Sequence, residues 1–531
     1  MTVSVFAGRV RGTPVTRPSR ALGALRAAVV LLVLLLALVI LRLPWIGDLG
    51  MHAATVERLR HALPRPGDPL VRADAPSPYY SPWTVLLGCL ARLTGLSVWN
   101  VLRAGAAVAL ALLVSGVWRY ARTLCGHRAA GPLAVLCVVL LWGVRDFAWS
   151  GFPGLVSLAL TIAYPSTLAL GLSFHFWALL TRAARDRAGW GAFLGLGGLW
   201  AVILLVHQFT GVVATLGAVG VLVSARAAAT PGRPLGVRPL GVRPLGVRPL
   251  AGAALGALLL WLWPYYDFFS LLRAGGGLEA VHRPLYEDLL PRYGLVLLGL
   301  AALLVRARRA RSDALVVFCA LAVLVFTAGG LTGHWSWGRV LPGVLIPAQL
   351  AVAVETCEAW GRLRRRGRAA LALVLGAALA AGAWAQVGVL GYAVPRRALP
   401  AAVLARSPEP WPGYGWITPP VRYGDVVLAR TGPARRIPAY GAYTVAPGYP
   451  DVFLADEAER LAAVRRYYAP GTSPAARRAV LRRYGVRWVV WGRGYGTPPA
   501  GLRRAVAGPD GAVLYAVVTP RSGRGAGPGS P

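Results

Sequence analysis

Acid–base chemistry needs carboxylates or histidines within reach of one another. This sequence offers few: 20 acidic side chains and 7 histidines among 531 residues. Asp48 stands out, in the run Trp45-Ile46-Gly47-Asp48-Leu49-Gly50-Met51-His52, because it follows a long apolar stretch by only a few residues. A charge so near membrane depth is costly and tends to be kept for function. Asp146, in Arg145-Asp146-Phe147-Ala148-Trp149, follows a second apolar stretch in the same way, and Asp267 sits beside Trp261, Trp263, Tyr265 and Tyr266. Guanidinium forks that could grip an anion through parallel N–H bonds occur at Arg72, Arg145 and Arg339, the last in His334-Trp335-Ser336-Trp337-Gly338-Arg339. Plainer roles exist for each. Asp48 could cap a helix over Leu49–Leu59, Asp146 could pair with Arg145, and Arg339 could snorkel at a helix edge. His207, in His207-Gln208-Phe209-Thr210-Gly211, could simply satisfy backbone groups at a tight turn, and His175 could be a hydrogen-bonded core residue.

Several other chemistries are excluded. Every basic side chain is Arg, so a phosphate loop that depends on Lys cannot form. No His-Glu-x-x-His run occurs. The five cysteines lie in or beside apolar stretches with no Cys-x-x-Cys spacing, which argues against a zinc site or a disulfide framework.

The elements that must position these residues follow from composition. Hydrophobic residues make up 56% of the chain, charged residues only 15%, and the mean hydropathy is +0.55. A soluble domain carries about 25% charged residues, so a polytopic membrane protein is expected. Helices of about 20 apolar residues cross a bilayer. About eleven such segments are legible, at 24–44, 98–118, 129–144, 166–182, 190–206, 208–225, 250–265, 293–306, 313–331, 340–358 and 369–391. The first reads as an uncleaved signal anchor.

Arginines cluster before the first segment and in alternate short loops, as at Arg119, Arg122 and Arg128 or Arg306, Arg308, Arg309 and Arg311. By the positive-inside rule the N-terminus is cytoplasmic and the C-terminus extracytoplasmic. Pro82–Gly95 would invert every later loop if it crossed, so it reads as a helix on the outer surface. On this topology the net charge of +37 resembles a nucleic-acid footprint only in its total. Much of it falls in short inner loops, facing anionic headgroups.

The expected organisation is a cytoplasmic segment over 1–23, a transmembrane domain over 24–394 with a first outer loop at 45–97, an extracytoplasmic α/β domain over 395–520, and a disordered Gly/Pro/Ser-rich tail over 521–531. Gly-Val-Arg-Pro-Leu repeats within a cytoplasmic linker at 229–250, where recurrent proline forbids a regular helix. In the C-terminal domain, strands are expected at Asp425–Leu428, Arg487–Trp491 and Val513–Val518, with helices at Ala455–Tyr467 and Pro474–Tyr484.

The layout resembles the GT-C superfamily of membrane glycosyltransferases. The likeness rests on an acidic residue opening a long first outer loop, on Pro78-Tyr79-Tyr80 leading to Leu90-Ala91-Arg92-Leu93-Thr94-Gly95, on Trp337-Gly338-Arg339-Val340-Leu341-Pro342, and on Tyr484-Gly485-Val486-Arg487-Trp488-Val489-Val490. The resemblance implies an all-α polytopic fold with a small C-terminal α/β domain. It implies inverting transfer of a sugar from a polyprenyl-phosphate donor to a glycan, lipid or protein acceptor at the outer face. Asp48 matches the base position, with Asp146 as second catalytic candidate. Substrate binding falls to His52, Arg72, Tyr79, Tyr80, Arg145, Asp267, His334, Trp337 and Arg339. Members usually pair two acids at the start of loop one, where Leu49 stands here, so no metal ligands are assigned, although the family leaves room for a divalent cation. Membrane lipids are the other expected partner, and no nucleic acid is. A transporter or flippase, or a non-catalytic envelope-assembly protein that keeps the fold, are the alternatives.

Overall fold

The computed structural model describes residues 20–229, 246–272 and 279–518. Residues 1–19, most of the Arg/Pro repeat and the tail from Arg521 lie outside the described residues, and the expectations for them with them.

Apolar runs become helices because a backbone without water must satisfy its own hydrogen bonds. In chain order these are α1 (Arg20–Arg42), α2 (Leu49–Ala62), α3 (Pro82–Thr94), α4 (Val98–Leu124), α5 (Ala130–Leu140), α6 (Leu155–Thr161), α7 (Pro165–Asp186), α8 (Trp190–Val206), α9 (Gln208–Ala229) and α10 (Arg248–Trp261). Two short turns follow, α11 (Glu279–His282) and α12 (Leu289–Tyr293), then α13 (Leu297–Arg309), α14 (Ala314–Thr332), α15 (Pro342–Trp360) and α16 (Arg365–Ala385). Every expected crossing contains a helix. By length and composition, however, 7 described helices can cross a membrane. Helices α5, α8 and α10 are apolar but shorter, and α7 is long but less apolar. The chain is a multi-pass membrane protein.

Small residues let the helices approach closely. A Cβ on Gly197 of α8 would lie 1.9 Å from the Gly252 carbonyl of α10, so this contact is closed to any larger side chain. Polar threads cross the core as well: Gln349 of α15 donates to the Leu141 carbonyl at 2.6 Å.

Helix α3 is the segment read as a surface helix. Ser81 and Thr84 form a reciprocal capping box around Pro82, and Gly95 ends the helix in the left-handed conformation. Its inner face packs on α2, while Leu86, Leu90 and Leu93 are exposed.

The C-terminal region holds a five-stranded mixed sheet. Its strands are β1 (Val426–Leu428), β2 (Tyr443–Thr444), β3 (Val486–Trp491), β4 (Leu502–Ala507) and β5 (Val513–Val517), in the order β2-β1-β3-β5-β4. Strands β2, β1 and β3 run parallel, and β5 and β4 are antiparallel to their neighbours. Helices Glu457–Tyr468 and Pro474–Arg483 bury Val464, Tyr467 and Val480 against one face. Expected strands and helices appear within a few residues. The sequence did not announce β2, which is two residues long, or β4, an edge strand with Arg503 and Arg504 exposed.

Loop one is woven into this sheet. Val71 bridges Thr444, and the Thr444 amide donates to the Leu70 carbonyl at 2.9 Å. Arg58 of α2 is fully buried and reaches the carbonyls of Pro69, Gly441 and Ala442. Its guanidinium lies 3.5 Å from the Tyr443 ring centroid. Loop one and the C-terminal domain therefore form one packed unit at the end of the helix bundle where Asp48 lies.

Candidate active site

Asp48 occupies the N-cap position of α2, yet its carboxylate makes no capping hydrogen bond. That leaves the side chain available for other work. It is partly buried, and it has no ion-pair contact among the described residues. Burial raises its pKa above the ordinary carboxylate value, opposed by the charges of Arg339 and then Arg435.

Arg339 comes from the 3-10 turn Trp335–Val340 that leads into α15, and it is buried. No carboxylate touches it among the described residues. Instead its guanidinium lies 4.4 Å from the Phe209 ring centroid and 5.8 Å from that of Trp149, and its Nη2 is 3.3 Å from His207 Nε2. A buried guanidinium stays charged, and a buried charge lacking a contact counterion is costly. Such a group suits an incoming anion.

His207 stands between α8 and α9. Its Nδ1 is 2.7 Å from Thr210 Oγ1 and 3.3 Å from the Thr210 amide nitrogen. Burial first, and the charge of Arg339 second, hold its pKa well below the ordinary imidazole value, so it is neutral at pH 7. A guanidinium only donates, so Arg339 Nη2 donates to Nε2 and the imidazole proton sits on Nδ1, toward Thr210 Oγ1. His207 thus orients the Arg339 fork, which is the donor an anionic oxygen would meet. Ser150, Gly151, His207, Phe209, Thr210 and Arg339 close around this spot and leave no room for a water molecule. Gly151 has φ +86°, and a Cβ on it would sit 3.2 Å from His207 Cε1 and Thr210 Oγ1.

His52 lies one helical turn beyond Asp48 and is buried, its ring 4.6 Å from that of Tyr164. Burial pulls its pKa down to about 3, so it too is neutral. Tyr164 donates to the Ile46 carbonyl at 2.5 Å, fixing the turn before Asp48. Tyr79 is partly buried and lies close enough to Asp48 and Asp451 to feel both charges.

The other sequence candidates go elsewhere. Asp146 is exposed, and Arg145 pairs with Asp288 at 2.6 Å rather than with its neighbour. Arg72 donates to the Gly424 carbonyl and joins loop one to the C-terminal domain. Tyr80 is buried and donates to the Gly67 carbonyl at 2.8 Å. Asp267 is exposed and accepts from the Phe269 amide in its own turn. His334 and Trp337 stack on each other at 5.3 Å and are exposed. Of the eleven candidates the structure gathers Asp48, His52, Tyr79 and Arg339, and it adds His207, Arg435 and Tyr164. Among the described residues no three His, Cys, Asp or Glu side chains converge as ligands for a metal ion. Among the described residues the groups near Asp48 are His52, tyrosines and two arginines, a set that does not fit a divalent cation.

No protein-family model matches the chain, and no curated protein sequence does either. Solved structures do. ArnT from Cupriavidus metallidurans, bound to undecaprenyl phosphate, aligns over 94% of this chain and 98% of its own at 15% identity, with a TM-score of 0.51. The arabinofuranosyltransferase AftD from Mycobacteria aligns over 95% of this chain and 40% of its own at 16% identity, with a TM-score of 0.54. An Archaeoglobus fulgidus oligosaccharyltransferase, in complex with Zn and sulfate, aligns over 92% of this chain and 73% of its own at 14% identity, with a TM-score of 0.45. The chain has the GT-C fold.

The chain also carries a buried pair of acids, Asp68 and Asp451. Asp68 of loop one accepts from the Leu70 and Val71 amides through Oδ1, and Asp451 accepts from the Phe453 amide through Oδ1. Both Oδ2 atoms are buried without a donor, and the two carboxyls meet each other. Two acceptors in contact form a hydrogen bond only when one holds a proton. Burial, then the Asp451 charge, raises Asp68 to about 7.

An unfolded Asp titrates near 4. The folded chain therefore keeps a proton that the unfolded chain has lost between about pH 4 and 7, and this contribution to stability falls as pH rises through that window. The buried neutral histidines act oppositely below pH 6.5, so the measurement is a difference. Asp68→Asn supplies a permanent donor. Its melting temperature in detergent should gain on wild type as pH rises from about 4 to 7 and then hold a constant offset. Parallel melting curves would show that the pair shares no proton.

Proposed function

We propose that this protein is a membrane glycosyltransferase that moves a sugar from a polyprenyl-phosphate donor to an acceptor at the outer face of a bacterial cytoplasmic membrane. The observation that carries this reading is Arg339, a buried guanidinium with no contact counterion, held by the neutral His207 near a carboxylate that caps nothing. ArnT, which shares the fold, was solved with undecaprenyl phosphate.

In this reading the acceptor hydroxyl attacks the anomeric carbon as the carbon–oxygen bond to phosphate breaks. Asp48 takes the hydroxyl proton. A base whose pKa is raised toward the working pH accepts that proton more readily than an ordinary surface Asp. The freed polyprenyl phosphate gains negative charge, which Arg339, oriented by His207, stabilises as it develops. Attack opposite the leaving phosphate inverts the anomeric centre. The neutral imidazole is an asset here, since it orients the guanidinium without adding a second buried charge.

The test is binding of undecaprenyl phosphate to the purified protein in detergent. Hydrogen bonds to charged groups are worth about 1.5–3 kcal/mol, so Arg339→Ala should weaken binding by roughly 10- to 100-fold. Arg339→Lys should recover part of it, keeping charge but losing the fork. Unchanged binding in Arg339→Ala would remove the phosphate from this pocket.

A further inference from the structure

The turn that carries Asp48 is held by one short stretch of the C-terminal domain. Tyr449 donates from its hydroxyl to the Gly47 carbonyl at 2.7 Å. The Arg435 carbonyl abuts Gly50, where any Cβ would lie 2.1 Å away, so only glycine permits this approach. The Arg435 side chain is itself fixed. Its Nε donates to the Gly448 carbonyl at 3.0 Å, and its guanidinium lies 5.2 Å from the Tyr449 ring centroid. No ion pair engages it among the described residues.

We propose that Arg435 is a positioning residue of this site, a second fixed cation that the C-terminal domain holds beside Asp48, so that docking of that domain sets the charge state of the acid. The proposal rests on the reading of Asp48 as the base. Arg339 and Arg435 are the two charges that oppose the effect of burial on Asp48. The other titratable groups around the acid are His52, Tyr79, Tyr164 and Tyr449, with His207 behind Arg339. The imidazoles are neutral, and burial holds the phenols protonated. Asp451 also acts on Tyr79. The arginine of the membrane domain and that of the C-terminal domain are thus the local positive charges, and only the second depends on domain docking.

The protonation of Asp48 can be followed without substrate. Its carboxylic C=O band in infrared titration is the one that disappears in Asp48→Asn. An opposite charge nearby lowers a carboxyl pKa by about 1–3 units when close, so Arg435→Gln should move the Asp48 titration upward by roughly one pH unit. Arg435→Lys, which keeps the charge, should leave it near wild type. The Gln variant keeps the Arg435 carbonyl and the Tyr449 bond, so its melting temperature should stay near wild type. If Asp48 titrates identically in Arg435→Gln and wild type, or moves equally in Gln and Lys, Arg435 is only a brace and the proposal fails. Where the infrared shift occurs, the acid limb of transfer activity should rise in pH by the same amount. A shifted titration with an unmoved acid limb would sink Asp48 as base while leaving the role of Arg435 standing.

Discussion

Asp48→Asn should cut sugar transfer by roughly 10²- to 10⁴-fold, the usual range for loss of a positioned base, with lipid-phosphate binding and melting temperature close to wild type. The separation is what makes the variant informative. Asn keeps the size of the side chain and its place at the start of α2, and the wild-type carboxylate makes no capping bond that Asn could lose. The phosphate is assigned to Arg339, held by His207, and the substitution touches neither. Transfer is measured in membranes with undecaprenyl-phosphate-linked sugar, alongside binding of undecaprenyl phosphate itself. A carrier or an assembly protein would also bind lipid phosphate but would not need this carboxylate for bond breaking. Normal transfer by the variant would therefore end the assignment of Asp48, and a large drop in melting temperature would make it a structural acid.

Arg58→Ala should have the largest effect on stability, a loss of about 3–5 kcal/mol, comparable to breaking a buried charge site. Arg58 is completely buried, with one nitrogen each for the carbonyls of Pro69, Gly441 and Ala442. Tyr443 and Tyr423 lie 3.5 and 4.9 Å from its guanidinium. Alanine leaves the buried Pro69 and Ala442 carbonyls without donors, each costing about 1–3 kcal/mol if no water reaches it, while the Gly441 carbonyl keeps the Gly424 amide, and it opens a void between α2 and the sheet. Lysine fills part of the space with a single point charge and cannot reproduce the fork. The expected signs are a lower melting temperature and faster proteolysis of the C-terminal domain in membranes. Because α2 carries Asp48 at its start, transfer should fall with docking. A variant as stable and protease-resistant as wild type would show that Arg58 does not hold the two parts together.

Much of the architecture is legible in the sequence because it depends on runs of like residues. A long apolar stretch such as Val29–Ile40 has one way to satisfy its backbone in lipid, so its helix follows from composition. The capping box at Ser81 and Thr84 and the strand Val486–Trp491 are local in the same sense. Strand β2 could not be read, since two residues carry no period and Thr444 is a strand residue only because Leu70 and Val427 come to its sides.

The site is the less legible part. Asp48 and Arg339 were found because a charge at the edge of an apolar run is conspicuous. Arg72, Arg145 and His334 looked no different by the same criterion, and they ended in a domain joint, an exposed ion pair and a surface stack. His207 looked like a turn residue, and Arg435 like one of many domain arginines.

The sequence by itself determined which segments are helices, that they lie in a membrane, and how scarce the acids are. Those properties follow from side-chain chemistry summed along the chain. Tertiary structure alone decided which arginines lose their water. Arg58 and Arg339 are costly, directed groups because Tyr443, Phe209 and the carbonyls around them arrive from distant elements and exclude solvent. The same guanidinium at Arg145 stays wet and contributes little. Burial depends on what packs around a residue, and no local pattern of residue types carries that information.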